Sequence, residues 1–284
     1  MNFPFYIARR YLFSKKKHNA INIISGISVC GVALATLALV CTLSVFNGFQ
    51  DMVASFFTAF DPQLKITVRE GKVFDGQDGR IREVCALPEI DVFTETLEEN
   101  AMVQYKDRQA MVVLKGVEDN FEELTAIDSI LYGAGEFLLH DSIVNYGVMG
   151  VELVSTLGTG LQFVDPLQVY LPKRNAKVNM ANPGASFNRD YLYSPGVVFV
   201  VNQQEYDGKY ILTSLAFLRQ LLDYTTEVSA IELKLKPDTN VSSVQSKIEK
   251  MLGSDFVVQN RYQQQADVFR IMEIEKLISY LFLT

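Results

Sequence analysis

Two histidines, three cysteines and 33 Asp and Glu side chains are the groups in this 284-residue chain best suited to chemistry, and their spacing supports little of it. His140 stands beside Asp141, the pairing expected of a general base, but neighbours in an extended segment point to opposite faces and cannot share a site. His18 lies in a basic leader and faces water or lipid headgroups. There is no G-x-S-x-G elbow to present a serine, and no H-E-x-x-H or paired C-x-x-C to hold zinc. The G-x-x-x-x-G-K-[ST] phosphate loop is also missing, so nucleotide is not bound by that route. Gly158 and Gly160 in LGTGLQ lack the third glycine of a dinucleotide loop and read as turn residues. Asp75-Gly76 and Asp78-Gly79 mark turns; Gln77 and the missing distal Glu exclude an EF-hand calcium loop. The sequence therefore predicts a non-catalytic chain with no cofactor and no metal. With no basic patch outside the leader, it predicts no nucleic-acid partner either.

The elements explain the scarcity. Residues 19–50 carry no charged side chain, and Ile21 to Phe46 are mostly apolar. As a helix these 26 residues span roughly 39 Å, enough to cross a ~30 Å hydrocarbon core with tilt. A secretory signal has a shorter apolar region, about 7–15 residues, and a small-residue cleavage site. This run instead exits through Asn47-Gly48-Phe49, so an uncleaved transmembrane helix is expected. Cys30 and Cys41 fall inside it as small fillers and Cys85 has no partner on its side, which predicts no disulfide framework. Arg9, Arg10, Lys15, Lys16 and Lys17 precede the helix with no acidic residue among them, placing the N-terminus in the cytoplasm. The other 21 Lys and Arg meet all 33 Asp and Glu beyond it. That acidic part belongs across the membrane, in the periplasm of a host with two membranes. Within the helix Gly31 and Ala35 form a small-xxx-small pair suited to packing on another helix, a pattern ordinary membrane composition also yields. Ile24, Ile27, Gly31, Ala35 and Phe46 are the candidate helix-packing or lipid-facing positions. Phe3 to Phe13, with Phe3, Ile7 and Tyr11 at helical spacing, reads as an interfacial helix or a frayed leader. At the other end, Leu277 to Thr284 reads as the start of a second transmembrane helix cut short, with a short helix packed on the soluble part as the alternative.

Between these ends lies an α+β domain of two lobes. Val53, Phe56, Phe57 and Phe60 keep a helical rhythm until Asp61-Pro62 stops it. Strands are expected at Gln63 to Val68, Met111 to Gly116, Leu167 to Leu171 and Phe256 to Val258, and Phe137 to Val144 as a short extended segment. Val148 to Leu157 predicts a helix ended by Gly158. Leu215, Leu218, Leu221 and Leu222 stripe a helix starting near Ser214; Val241, Val244, Ile248 and Leu252 stripe another, capped near Asn240 and stopped by Gly253. Between them Ile231, Leu233 and Leu235 alternate with Glu232, Lys234 and Lys236, a half-buried strand. Helix–strand–helix–strand is half of a split βαβ, ferredoxin-like layer, which the strands at 63–68 and 111–116 could complete. From Pro172 to Asp190 the chain is polar and aperiodic, a long exposed hairpin or loop. The expected divisions are a cytoplasmic basic segment 1–19, transmembrane helix 20–48, periplasmic domain 49–270 with the insert 172–190, and the start of a second transmembrane helix at 271–284.

The opening, ARRYLFSKKKHNAINIISGISVCGVALATLALVCTLSVFNGFQ, resembles that of lipoprotein-releasing permease subunits of the LolC/LolE type, FtsX-like ABC permeases with a MacB-type periplasmic domain. Their A-R-R-Y-L start matches Ala8 to Leu12, their S-x-I-S-V-x-G-V-A-L matches Ser25 to Leu34, and their S-V-x-N-G-F matches Ser44 to Phe49. Weaker resemblance continues through GVMGVELVSTLGTGLQ, VFVVNQQEYDGKYILTSLAFLRQLL and the closing EIEKLISYLFL. The resemblance implies an inner-membrane subunit with four transmembrane helices, paired with a second like or related permease subunit and driven by a separate cytoplasmic ATPase. Its cargo would be a lipoprotein passed from membrane lipid to a soluble periplasmic carrier. A hairpin inserted after the strand ending in proline recruits that carrier in such proteins. At the matching position here Met180, Pro183 and Phe187 offer apolar contacts after Pro172, and Lys173, Arg174 and Lys177 could steer an acidic partner. Rival readings are a MacB-like efflux permease, an FtsX-like regulator of a cell-wall hydrolase and, last, a single-pass anchored enzyme.

Overall fold

The computed structural model describes residues 3–12, 20–54, 60–174 and 186–264, and these fall into two compact units divided between residues 54 and 60. The first unit holds helix α1 (Phe3–Leu12) and helix α2 (Ala20–Ala54). Ile23–Val45 of α2 has a mean hydropathy of 2.3 and is long enough to cross a membrane. Three of its hydroxyls are satisfied within the helix. The hydroxyls of Ser28, Thr36 and Thr42 donate to the carbonyls of Ile24, Val32 and Ala38. That arrangement meets the need of these three hydroxyl donors inside hydrocarbon. Val53 is helical as expected. The continuation through Phe56 and Phe57 lies outside the described residues, as do the second transmembrane start at 271–284 and residues 13–19 of the leader.

In the second unit the chain runs β1 (Leu64–Val68), β2 (Phe74–Asp75), α3 (Gly79–Cys85), β3 (Ile90–Tyr105), β4 (Arg108–Val117), α4 (Phe121–Leu124), β5 (Leu131–Gly133), β6 (Val148–Met149) and α5 (Val151–Leu157). It continues through β7 (Leu167–Pro172), β8 (Phe187–Leu192), β9 (Val197–Phe199), α6 (Gln204–Asp207), β10 (Tyr210–Ser214), α7 (Leu215–Leu222), β11 (Glu227–Val228), β12 (Ala230–Leu235), α8 (Val241–Leu252), β13 (Phe256–Asn260) and α9 (Arg261–Gln264). The main sheet orders its strands β13-β1-β12-β3-β4-β10-β6. Its first four strands, each antiparallel to its neighbour, are a complete ferredoxin-like layer whose first and second βα halves are β1-α3-β3 and β12-α8-β13. Everything from β4 to β11 is inserted between those halves and builds the second lobe. The ferredoxin-like reading is therefore right, but the strand completing it is Ile90–Tyr105 rather than 111–116, which lies one place further out.

β3 is what joins the lobes. Ile90 to Thr96 pair with β12, while Met102 to Gln104 pair with β7 along the same edge. Thr96 to Tyr105 pair throughout with β4, closing a long hairpin over Lys106 and Asp107. Alternation buries Leu64, Ile66, Ile231 and Leu233 under α3 and α8, and Leu97, Val103, Val112 and Leu114 under α5 and α7. The reverse face of the sheet carries a third cluster, with Phe60, Phe121, Ile127, Phe199 and Leu212. Phe60 has thus left the helix that the sequence assigned to it and packs in this core.

Several local expectations hold. Ser214 caps α7 by accepting from the Phe217 N–H at 3.2 Å, and Asn240 caps α8 by accepting from the Ser243 N–H at 3.1 Å. Gly158 ends α5 with φ +66°, a left-handed conformation that suits glycine. Others need correction. Asp78-Gly79 does not make a free turn: Asp78 is the N-cap of α3, accepting from the Arg80 N–H. Residues 137–144 form a loop with a single bridge from His140 to Asn145, because Asp141 accepts from the Ile143 and Val144 N–H groups and bends the chain. The helix expected from Val148 begins at Val151, since Val148 and Met149 are drawn into pairing with β10.

Candidate functional site

The insert is a hairpin at its root. β7 and β8 pair antiparallel from Leu167 opposite Leu192 to Pro172 opposite Phe187, and the Lys173 N–H donates to the Ser186 carbonyl at 2.9 Å. Phe187 and Asp190 belong to β8 rather than to a loop, with Phe187 half-buried and Pro172 and Lys173 exposed. Lys177, Met180 and Pro183 lie outside the described residues. Arg174 is already engaged: its guanidinium sits 3.5 Å from Glu227 Oε1 and 5.0 Å from the Tyr224 ring centroid. Glu227 is a ready acceptor, because the Thr225 and Thr226 N–H groups donate to it and hold its carboxyl below the usual value. Asn188 ties the other strand to α7 by donating to the Leu221 carbonyl at 2.7 Å. The hairpin therefore leaves the second lobe from a fixed base.

His140 is not paired with its sequence neighbour Asp141. Its Nε2 lies 2.9 Å from Asp119 Oδ1, and both line a cavity of about 530 Å³ with Glu118, Arg219, Gln220 and Tyr224. Burial, with Glu95 and Asp119 nearby, pushes the Glu118 carboxyl up. Among the described residues no hydroxyl or thiol is hydrogen-bonded to His140, and no group of three His, Cys, Asp or Glu is placed to hold a metal. Ser214, in the same cavity, is occupied as the cap of α7.

The side chains that sequence reasoning missed are buried ones. Lys115, 1% exposed, places Nζ 2.6 Å from Glu232 Oε1 and 3.6 Å from Glu98 Oε1. Glu98 in turn lies 3.4 Å from Lys65. Lys65, Glu98, Lys115 and Glu232 thus form a chain of alternating sign drawn from β1, β3, β4 and β12, the strands that carry both lobes. Burial pushes the Glu98 carboxyl up, but Lys65 and Lys115 outweigh it and hold the group below its ordinary value. Burial likewise pushes the Lys115 ammonium down, and Glu232 and Glu98 reverse the effect. Glu232, expected on a solvated face, is fully covered. A lysine inside the apolar run MVVLKGV was the one available signal.

In the first unit Ile24, Ile27, Gly31 and Ala35 lie along one face of α2, and Ile24 and Ile27 are 62% and 68% exposed. A Cβ added at Gly31 would meet nothing within 4 Å, so this face is open to close helix contact. The side chain of Phe46 lies outside the described residues.

A MacB-like periplasmic core domain matches residues 25–251, and the chain belongs to that family. The lipoprotein-releasing system transmembrane protein LolC of Xylella fastidiosa is 21% identical over 98% of this chain and 65% of its own length. LolC of Buchnera aphidicola is 24% identical over 98% of this chain and 66% of its own, and LolE of Haemophilus influenzae 22% over 99% and 66%. The chain thus spans about two thirds of the length of these relatives, which are named as transmembrane components of a lipoprotein-releasing system. The periplasmic region of MacB from Actinobacillus actinomycetemcomitans covers 72% of this chain and 91% of its own at a TM-score of 0.46 and 11% identity.

Proposed function

We propose that this chain is part of a permease subunit of an ABC transporter that extracts lipoproteins from the inner membrane and hands them to a soluble periplasmic carrier. The observation that carries the reading is similarity to LolC and LolE along 98–99% of the chain, through the transmembrane helix and the periplasmic core alike. By the positive-inside rule, the basic residues before α2 support a cytoplasmic N-terminus and a periplasmic second unit. The subunit is non-catalytic: a cytoplasmic ATPase supplies the energy, and a second permease subunit, identical or related, completes the membrane part. Energy is needed because drawing an acyl chain out of a bilayer costs about 0.8 kcal/mol per CH₂.

The β7–β8 hairpin is the proposed docking element for the carrier. Arg174 fixes its base against Glu227 and Tyr224. Lys173 and, further along the sequence, Lys177 supply positive charge, with Met180, Pro183 and Phe187 as apolar contacts. α2 would pack on a neighbouring helix through Gly31 and Ala35 and meet lipid or cargo through Ile24 and Ile27. Photo-crosslinking in cells from a probe replacing Met180, followed by mass spectrometry of the captured partner, tests this reading. Capture of a soluble lipoprotein carrier is the expected result. Capture of an outer-membrane efflux component instead would favour the reading as a MacB-like efflux permease.

A further inference from the structure

The first and last described segments of the second unit are fastened to each other outside the sheet. β1 and β13 already pair from Leu64 opposite Asn260 to Val68 opposite Phe256. Beyond those strand ends Arg261 Nε donates to the Asp61 carbonyl at 2.8 Å, and Gln264 Nε2 donates to the Pro62 carbonyl at 3.1 Å. Gln63 Oε1 accepts from the Leu235 N–H at 2.6 Å, tying the same segment to β12. In sequence, 60–63 follows α2 closely and 261–264 precedes the apolar run 277–284.

This fastening rests directly on the buried charges. The Phe60 ring centroid lies 5.7 Å from Lys115 Nζ, and the ring stacks on Tyr206 at 4.9 Å and tilts against Phe199 at 4.8 Å. The Tyr206 hydroxyl donates to Asp61 Oδ1 at 3.3 Å, and the Tyr210 hydroxyl to Glu98 Oε2 at 3.5 Å. An ion pair buried this deeply cannot slide without stranding a charge, so the centre of the sheet resists shear. A movement delivered at 60–63 or at 261–264 therefore reaches β12, β3 and β4 together.

We infer that Arg261 and Gln264 are positioning residues: with Asp61 and Pro62 they form a clasp that makes the entering and leaving segments move as one piece with the Lys115–Glu232–Glu98 layer. The inference deepens the permease reading and rests on it, because it assigns the contacts that carry motion into the periplasmic unit. Both donors bond to main-chain carbonyls, so the clasp depends on the side chains at 261 and 264 more than on those at 61 and 62.

The test uses the full-length subunit assembled with its ATPase in liposomes, comparing wild type, Arg261→Lys, and the double variant Arg261→Met with Gln264→Leu. In the double variant, hydrogen exchange across 60–64 and 256–264 should quicken roughly thirtyfold, the low end for losing one charge-assisted and one neutral hydrogen bond from a local opening. ATP-dependent lipoprotein release should fall by a similar factor while ATP hydrolysis stays within about twofold. Arg261→Lys, which keeps a charged donor, should recover most of the release. Unchanged exchange or unchanged release in the double variant overturns the clasp. So does a parallel loss of release and hydrolysis with a lowered unfolding midpoint, which would mark a merely structural role. If wild type itself releases no lipoprotein, the cargo reading is what fails. The clasp is then judged by exchange on adding ATP: the two segments changing together in wild type and separately in the double variant supports it, and separate change in wild type overturns it.

Discussion

Lys115 and Glu232 are the residues whose removal should be felt most. Each is fully covered, and they meet at 2.6 Å. Replacing Lys115 by Met leaves Glu232 buried without its main counter-charge, which typically costs about 3–5 kcal/mol. Adding Glu232→Leu to Lys115→Met should recover most of that loss, because the uncompensated charge is removed. Urea unfolding followed by far-UV circular dichroism reads both variants. A double variant no more stable than the single one would show that this pair is not the reason the site needs a lysine. Glu118 should behave in the opposite sense. Its folded-state pKa is raised, chiefly by burial, so the folded unit binds this proton more tightly than the unfolded chain does. The group favours folding when protonated, and that contribution is lost as pH rises through the folded value. Glu118→Gln, which cannot ionise, should therefore raise the unfolding midpoint at pH 7, with the gain fading as pH falls toward the ordinary value of 4.5. A gain that persists unchanged at pH 4 would contradict this.

Elements with a pattern of their own were legible in the sequence. The apolar stripe and the Asn240 and Gly253 ends of α8, the Ser214 cap of α7 and the uncharged stretch that makes up most of α2 are all local signals, and each is found where the sequence puts it. Asn240→Ala removes the oxygen that accepts the Ser243 N–H and should cost about 1 kcal/mol; no loss on urea unfolding would mean that water serves the cap equally well. β3 was missed because it has two masters. Its first half pairs with β12 and its second with β7, so Phe93 is exposed while Thr94, Thr96 and Leu97 are all buried, and no single alternation runs along the strand. Glu232 misled for a related reason. Alternation shows which residues share a face, but the covering of the second face by Phe60 and α4 comes from distant sequence. The hairpin was legible as a break in periodicity, whereas the role of Arg174 at its base depends on Glu227 and Tyr224, some fifty residues away.

At the scale of the molecule, one ferredoxin-like layer is split by a long insertion, and a single strand carries both parts. That design brings the segments at the two ends of the unit, 60–63 and 261–264, together at one end of the layer. The hairpin is displayed from the inserted lobe. Such an arrangement fits the proposed role of a mechanical subunit whose energy comes from a partner. The most direct test is release of a triacylated lipoprotein from liposomes holding the full-length subunit, its partner subunit and the ATPase. The account predicts that lipoprotein appears in solution, bound to the carrier, only when ATP and carrier are both present. Lipoprotein that stays in the membrane while the same liposomes hydrolyse ATP and transport a soluble peptide would contradict it.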